Sequence, residues 1–187
     1  MGTVFDEIDD RLAVWISQQP MFFVSTAPLA ADGHVNVSPR GLDCFSILDS
    51  HRVAWVDLTG SGAETIAHLN ENGRVCVMFA GFDERARIVR LHGRGSVVLS
   101  GEPVFDEVVA MHPEHLGVRA VIVVDVDRVA DSCGWGVPRM ELVGDGERGI
   151  MRPWAEKKGP DGLVSYRAEK NAVSLDGLPA LPVEPAR

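Results

Sequence analysis

Three short stretches hold residue types able to grip an anion or a planar ligand. Ser38-Pro39-Arg40-Gly41 puts a hydroxyl, a guanidinium and accessible backbone N–H groups within four residues. A guanidinium holds a phosphate through two parallel N–H bonds, and a glycine lets the backbone come close to it. The same residues would also make an ordinary strand-end turn with a solvated arginine. Thr59-Gly60-Ser61-Gly62, continued by Ala63-Glu64-Thr65, is a run of small residues opening a helix. Such a start offers free N–H groups and the positive end of the helix dipole to an anion. Ser61 serving as a plain N-cap accounts for the same composition. No Gly-Lys-Ser/Thr follows, so nucleotide hydrolysis is not expected. Trp135 stands between Gly134 and Gly136, where an indole has room to lie over a planar ligand or to fill a core or subunit interface.

Other constellations point to less. His112-Pro113-Glu114-His115 brings two imidazoles close, but Pro113 breaks the helix and no third ligand stands nearby. A solvated helix end is expected there, and no metal site. Asp125 and Asp127 share one strand face and read as solvated charges rather than a glycosidase pair. No Gly-x-Ser-x-Gly elbow occurs. No side chain is therefore assigned as catalytic.

The elements that must position these residues follow from periodicity. Val4, Ile8, Leu12, Trp15 and Ile16 predict an amphipathic helix over 3–19, capped by Thr3 and closed by Pro20. Met21–Thr26 is a short strand, and His34–Ser38 pairs with it through a turn at 30–33, until Pro39-Arg40-Gly41 interrupts the ladder. Arg52–Asp57, Arg74–Phe79, Ile88–Leu99 and Ala120–Val129 are further strands. Helices are expected at about 63–72 and 103–111, and two short ones at about 151–157 and 163–171. Strands without regular βαβ alternation indicate a mainly β, antiparallel barrel or sandwich with appended helices.

The 187 residues fit one domain, 1–187, with a core to about 130 and a Gly-, Pro- and charge-rich extension over about 131–187. With Lys plus Arg at 18 against 27 for Asp plus Glu, the net charge is −9, which disfavours nucleic acid as a partner. No apolar run is long enough for a bilayer, and the acidic N-terminus does not look like an export signal, so a cytoplasmic protein is expected. Cys44, Cys76 and Cys133 read as buried thiols rather than a disulfide framework.

Taken in order, the segments resemble the pyridoxamine 5'-phosphate oxidase-like, FMN-binding split-barrel family. The resemblance runs over about residues 5–130. It rests on the N-terminal helix, the Met21-Phe22-Phe23-Val24-Ser25-Thr26 strand and Val35-Asn36-Val37-Ser38-Pro39-Arg40-Gly41. Val53–Asp57, His68–Asn72, Arg74–Phe79 and Val89–Gly95 complete it. The resemblance implies a split β-barrel with peripheral helices, acting as a homodimer with two flavin sites shared between subunits. It implies cofactor binding by Ser38, Pro39, Arg40 and Gly41, with Thr59, Gly60, Ser61, Gly62 and Thr65 cradling the phosphate. Arg90 would lie near the flavin ring, and Trp135 would stack on it from the partner.

Two departures shape the functional expectation. The true oxidase carries Arg-Lys at the phosphate helix, where this chain has Glu64-Thr65, and an Arg-Leu-His segment for its pyridoxal substrate that does not occur after residue 130. Vitamin B6 oxidation is thus not expected. The expected function is an FMN-dependent oxidoreductase acting on an unknown small molecule, with a deazaflavin as the alternative cofactor. A non-catalytic protein that binds or stores a flavin, deazaflavin or haem is the alternative function.

Overall fold

The structure, a computed structural model, describes residues 2–144 and 146–182. Eight antiparallel strands form one sheet that does not close, in the order β3-β2-β6-β7-β8-β5-β4, with β1 beside β8. These are β1 (Val4–Phe5), β2 (Phe22–Thr26), β3 (Asn36–Arg40), β4 (Phe45–Asp49), β5 (Arg52–Leu58), β6 (Arg74–Ala80), β7 (Arg87–Val98) and β8 (Val118–Cys133). Four helices accompany them among the described residues: α1 (Asp10–Ser17), α2 (Glu64–Asn72), α3 (Pro103–Val109) and α4 (Met151–Lys170). None is long and apolar enough to cross a membrane. The architecture is the split-barrel type that the sequence predicts.

Alternation decides which faces turn inward. Phe22, Val24 and Thr26 of β2 are buried while their neighbours within the strand are not, and Val75, Val77 and Phe79 alternate likewise on β6 up to the buried Ala80 at its end. β5 is buried on both faces from Val53 to Asp57. Phe22, Phe45, Trp55 and Phe79 meet in an aromatic cluster with centroids 5.0–5.9 Å apart. Each such ring or aliphatic chain contributes about 1.5–3 kcal/mol by leaving water.

The N-terminal expectation needs correction. Only Asp10–Ser17 is helical, capped by Asp9, whose carboxylate accepts from Leu12 N at 2.7 Å. Val4 and Phe5 instead pair with Ala130 and Val129 of β8. The Arg87 guanidinium lies 5.5 Å from both the Phe5 and Trp15 rings and pairs with Asp131, which favours this arrangement over continued helix. A second correction concerns Pro39, which does not interrupt the ladder. It sits within β3 opposite Phe23, and an edge strand tolerates a residue that donates no N–H. The sequence pattern does not predict β4. Leu42, between β3 and β4, takes a positive φ of 66°, a costly conformation for a branched residue. The two short C-terminal helices are joined as α4, broken at Gly159 (φ 65°, ψ 174°) before Pro160.

Cys44 is buried, Cys76 half-buried and Cys133 exposed, and all three are free thiols. Burial pushes the Cys44 thiol up to about 12, so it stays protonated and donates to Gly41 O. His112 is not a solvated helix end. Its ring is almost fully buried, hydrogen-bonded to Ser46 Oγ at 2.8 Å and facing Asp43. Asp125 does lie on an exposed face, paired with Arg52.

Candidate functional site

The end of β3, the end of β5 and the start of α2 converge on a cleft of about 230 Å³. Ser38, Pro39 and Arg40 form one wall, Gly60, Ser61 and Gly62 the opposite one, with Glu64, Thr65 and Arg119 completing it. The structure thus brings together seven of the residues that the sequence singles out. Gly41 faces an adjoining cleft of about 860 Å³ that shares Pro39 and Arg40 and reaches the Phe22, Phe45 and Phe79 rings. Thr59 lies behind the loop, with its N–H and hydroxyl both donating to Gly117 O at 2.8 and 2.7 Å. Arg90 is on β7, bonded to Ser132 Oγ, and Trp135 is 86% exposed; neither lines either cleft.

Beneath the cleft lies a charge cluster. Asp57 is wholly buried, and two guanidiniums close on it: Arg119 Nε donates to Oδ2 at 2.7 Å, and Arg40 Nη2 contacts Oδ1 at 2.9 Å. The Arg40 contact is an ion pair without hydrogen-bond alignment, since Oδ1 gains no hydrogen bond by it. Arg40 Nε is likewise buried with no partner among the described residues. A buried, unpaired donor on a cation is costly unless an acceptor meets it.

A hydroxyl network fixes the other donors. Asn36 Nδ2 donates to Thr65 Oγ1 at 3.1 Å and to Thr26 Oγ1 at 3.2 Å, while its Oδ1 accepts from Ser38 Oγ at 3.0 Å. Thr65 therefore accepts from Asn36 and keeps its own proton to give, whereas the Ser38 proton is already committed. Thr26 Oγ1 stands 2.9 Å from Nδ1 of the buried His68, whose affinity for a second proton is lowered by burial. The N–H groups of Gly60, Ser61 and Gly62 have no acceptor among the described residues. α2 starts directly after them, so its dipole adds positive potential.

One feature opposes an anion. Glu64 lines the cleft, and a Cβ on Gly62 would collide with its carboxylate. Glu64 Oε1 accepts from Leu175 N at 3.3 Å, which draws the carboxylate toward the 174–178 turn. Unpaired N–H groups, a free hydroxyl proton and two guanidiniums against a neutralising pair of carboxylates suit a phosphate ester.

The family described as "Pyridoxamine 5'-phosphate oxidase" matches residues 8–133, more than half of the sequence. The chain belongs to this family. A family relative, the pyridoxamine 5'-phosphate oxidase family protein ustO of Aspergillus flavus, is 42% identical over 196 residues, covering 97% of this chain and 78% of its own. Among solved structures, a histidine-to-alanine variant of HupZ from Group A Streptococcus is similar with a TM-score of 0.56 at 21% identity, over 67% of this chain and 99% of that one. HutZ, the heme storage protein from Vibrio cholerae, is similar with a TM-score of 0.50 at 14% identity, over 68% of this chain and 97% of that one. At these identities the two structures speak for the shared fold alone. Arg119 escapes the sequence reading, although it is the single charge entering the apolar 118–124 strand. Asn36 escapes it too.

Proposed function

We propose that the chain is a flavin-dependent oxidoreductase that holds the phosphate of FMN in the smaller cleft. The observation that carries this reading is the pair of guanidiniums, Arg40 and Arg119, anchored on one buried carboxylate under a loop of unpaired N–H groups. Arg40 Nε, the Thr65 hydroxyl and the 60–62 backbone would bind the phosphate, and Asp57 would orient the two guanidiniums without touching it. Bound flavin supplies hydride transfer, so the protein has to bind, orient and exclude water rather than provide a nucleophile. The larger cleft, sharing Pro39 and Arg40, lies within the size range of small-ligand sites and is the place for a small organic substrate. A deazaflavin carried on a phosphate would meet the same donors.

A homodimer is part of this reading. Val37 on the edge strand β3 and Val35 just before it are 61% and 68% exposed, and a second copy would cover them. Light scattering should give the mass of two chains.

Titration of FMN, followed by quenching of flavin fluorescence, tests the reading, with anaerobic reduction of the bound flavin as the second step. Saturable binding and reversible reduction of the bound flavin are expected. A protein that leaves FMN fluorescence unchanged but takes up haem would overturn it in favour of ligand storage.

A further inference from the structure

The second half of α4 ends behind the smaller cleft, although it lies outside the family match at 8–133. Leu163, Arg167 and Asn171 recur every four residues and so share one helix face. That face rests on the backbone behind the cleft. Leu163 Cδ2 lies 3.6 Å from where a Cβ on Gly117 would stand, Arg167 Nη1 donates to Val118 O at 3.3 Å, and Asn171 Nδ2 donates to Gly60 O at 2.9 Å. Asn171 is wholly buried, and its Oδ1 has no partner among the described residues.

The chain beyond Asn171 turns back and ties down what surrounds it. Leu181 N donates to Asn171 O and Ala180 N to Ala172 O. Asn70 of α2 donates to Ala180 O, Leu175 N donates to Glu64, and Asp176 accepts from both the backbone and the ring of His34. Asn171 is thereby fixed from both sides.

We propose that Asn171 is a positioning residue for phosphate recognition. This rests on the reading of the smaller cleft as the cofactor-phosphate site. The C=O and N–H of one peptide plane point in opposite directions. Holding Gly60 O from behind therefore turns the Ser61 N–H the other way, toward the cleft that Ser61 lines. Arg119 fixes the end of the loop by donating to Gly62 O at 2.7 Å, and Thr59 at its start donates to Gly117 O. The loop is preorganised by two donors, Asn171 and Arg119, and by one acceptor, Gly117 O, and Asn171 supplies the contribution of the C-terminal extension.

FMN and riboflavin differ only in the phosphate, so the ratio of their dissociation constants isolates the cleft from general folding effects. Asn171→Ala should weaken FMN about fivefold to tenfold and leave riboflavin unchanged, the loss of one oriented donor. Asn171→Leu keeps the buried volume and serves if the alanine variant does not fold. A wild-type protein with equal affinity for the two flavins would overturn the phosphate site and this inference together. A wild-type preference for FMN that persists undiminished in the folded variants would overturn the inference alone. Parallel weakening of both flavins would also overturn it, because that marks a purely structural residue.

Discussion

Arg119 reaches Asp57 from within a β-bulge. Asp57 pairs with Ala120 and Leu58 with Val118, so Arg119 is the additional residue on β8 between the two pairs. Its Nε lies 2.7 Å from Asp57 Oδ2, with both side chains almost completely buried. A regular ladder would have kept every β8 residue in register with one on β5. The bulge re-aims one guanidinium to the end of the strand, where the cleft opens.

This relationship separates the two arginines in an unfolding experiment. Arg119→Ala leaves Asp57 buried with only the misaligned Arg40, at a cost of about 3–5 kcal/mol. Arg40→Ala leaves the better bond of Asp57 intact and should cost about 1 kcal/mol, while weakening FMN roughly tenfold to a hundredfold. Urea unfolding beside FMN titration checks both, and a larger stability loss for Arg40→Ala would contradict the assignment.

Glu64 offers a change of opposite sign. Glu64→Gln removes a negative charge from the cleft yet keeps an oxygen to accept from Leu175 N. FMN should bind roughly threefold to tenfold more tightly at low salt, with the gain shrinking as salt screens it. Unchanged affinity at low salt would place the phosphate elsewhere.

The Thr65 hydroxyl is the donor that Asn36 leaves free. Thr65→Val keeps the shape and removes that proton, so FMN should weaken about fivefold, with riboflavin unaffected. Isothermal titration of both flavins reads the difference, and an unaltered FMN affinity would rule Thr65 out as a ligand.

The C-terminal turn carries a pH signature. Asp176, bonded to His34 at 2.6 Å, holds the imidazolium proton above the ordinary 6.5, and His34 in turn holds the Asp176 carboxyl below 3.8. The raised His34 value contributes stability fully below pH 6.5 and loses it as pH rises through the folded value. The lowered Asp176 value contributes above pH 3.8 and loses it as pH falls through the folded value. The stability difference between wild type and His34→Gln should therefore be largest between pH 3.8 and 6.5. A difference independent of pH would show that the contact does not hold in solution.

What the sequence makes legible is what local pattern controls. Phe22, Val24 and Thr26 alternate because one face of β2 is buried, and Ser38–Arg40 and Gly60–Thr65 are recognisable as donor-rich segments before their meeting is known. β4 escapes because Phe45–Leu48 is half-buried residue by residue and shows no alternation. Val4 and Ile8 have a spacing that suits helix, yet Val4 gains a strand partner 126 positions away at Ala130. Arg119 and Asn171 escape for the same reason, since their partners Asp57 and Gly60 stand 62 and 111 residues distant. Spacing along the chain cannot encode contacts made only after the sheet has formed.

A crystal structure of the protein grown with FMN locates the phosphate. Its density is expected between Arg40 and the 60–62 loop, within hydrogen-bond distance of Thr65 Oγ1 and Arg40 Nε. Density for the phosphate in the larger cleft, or along β7 near Arg90, would contradict that placement.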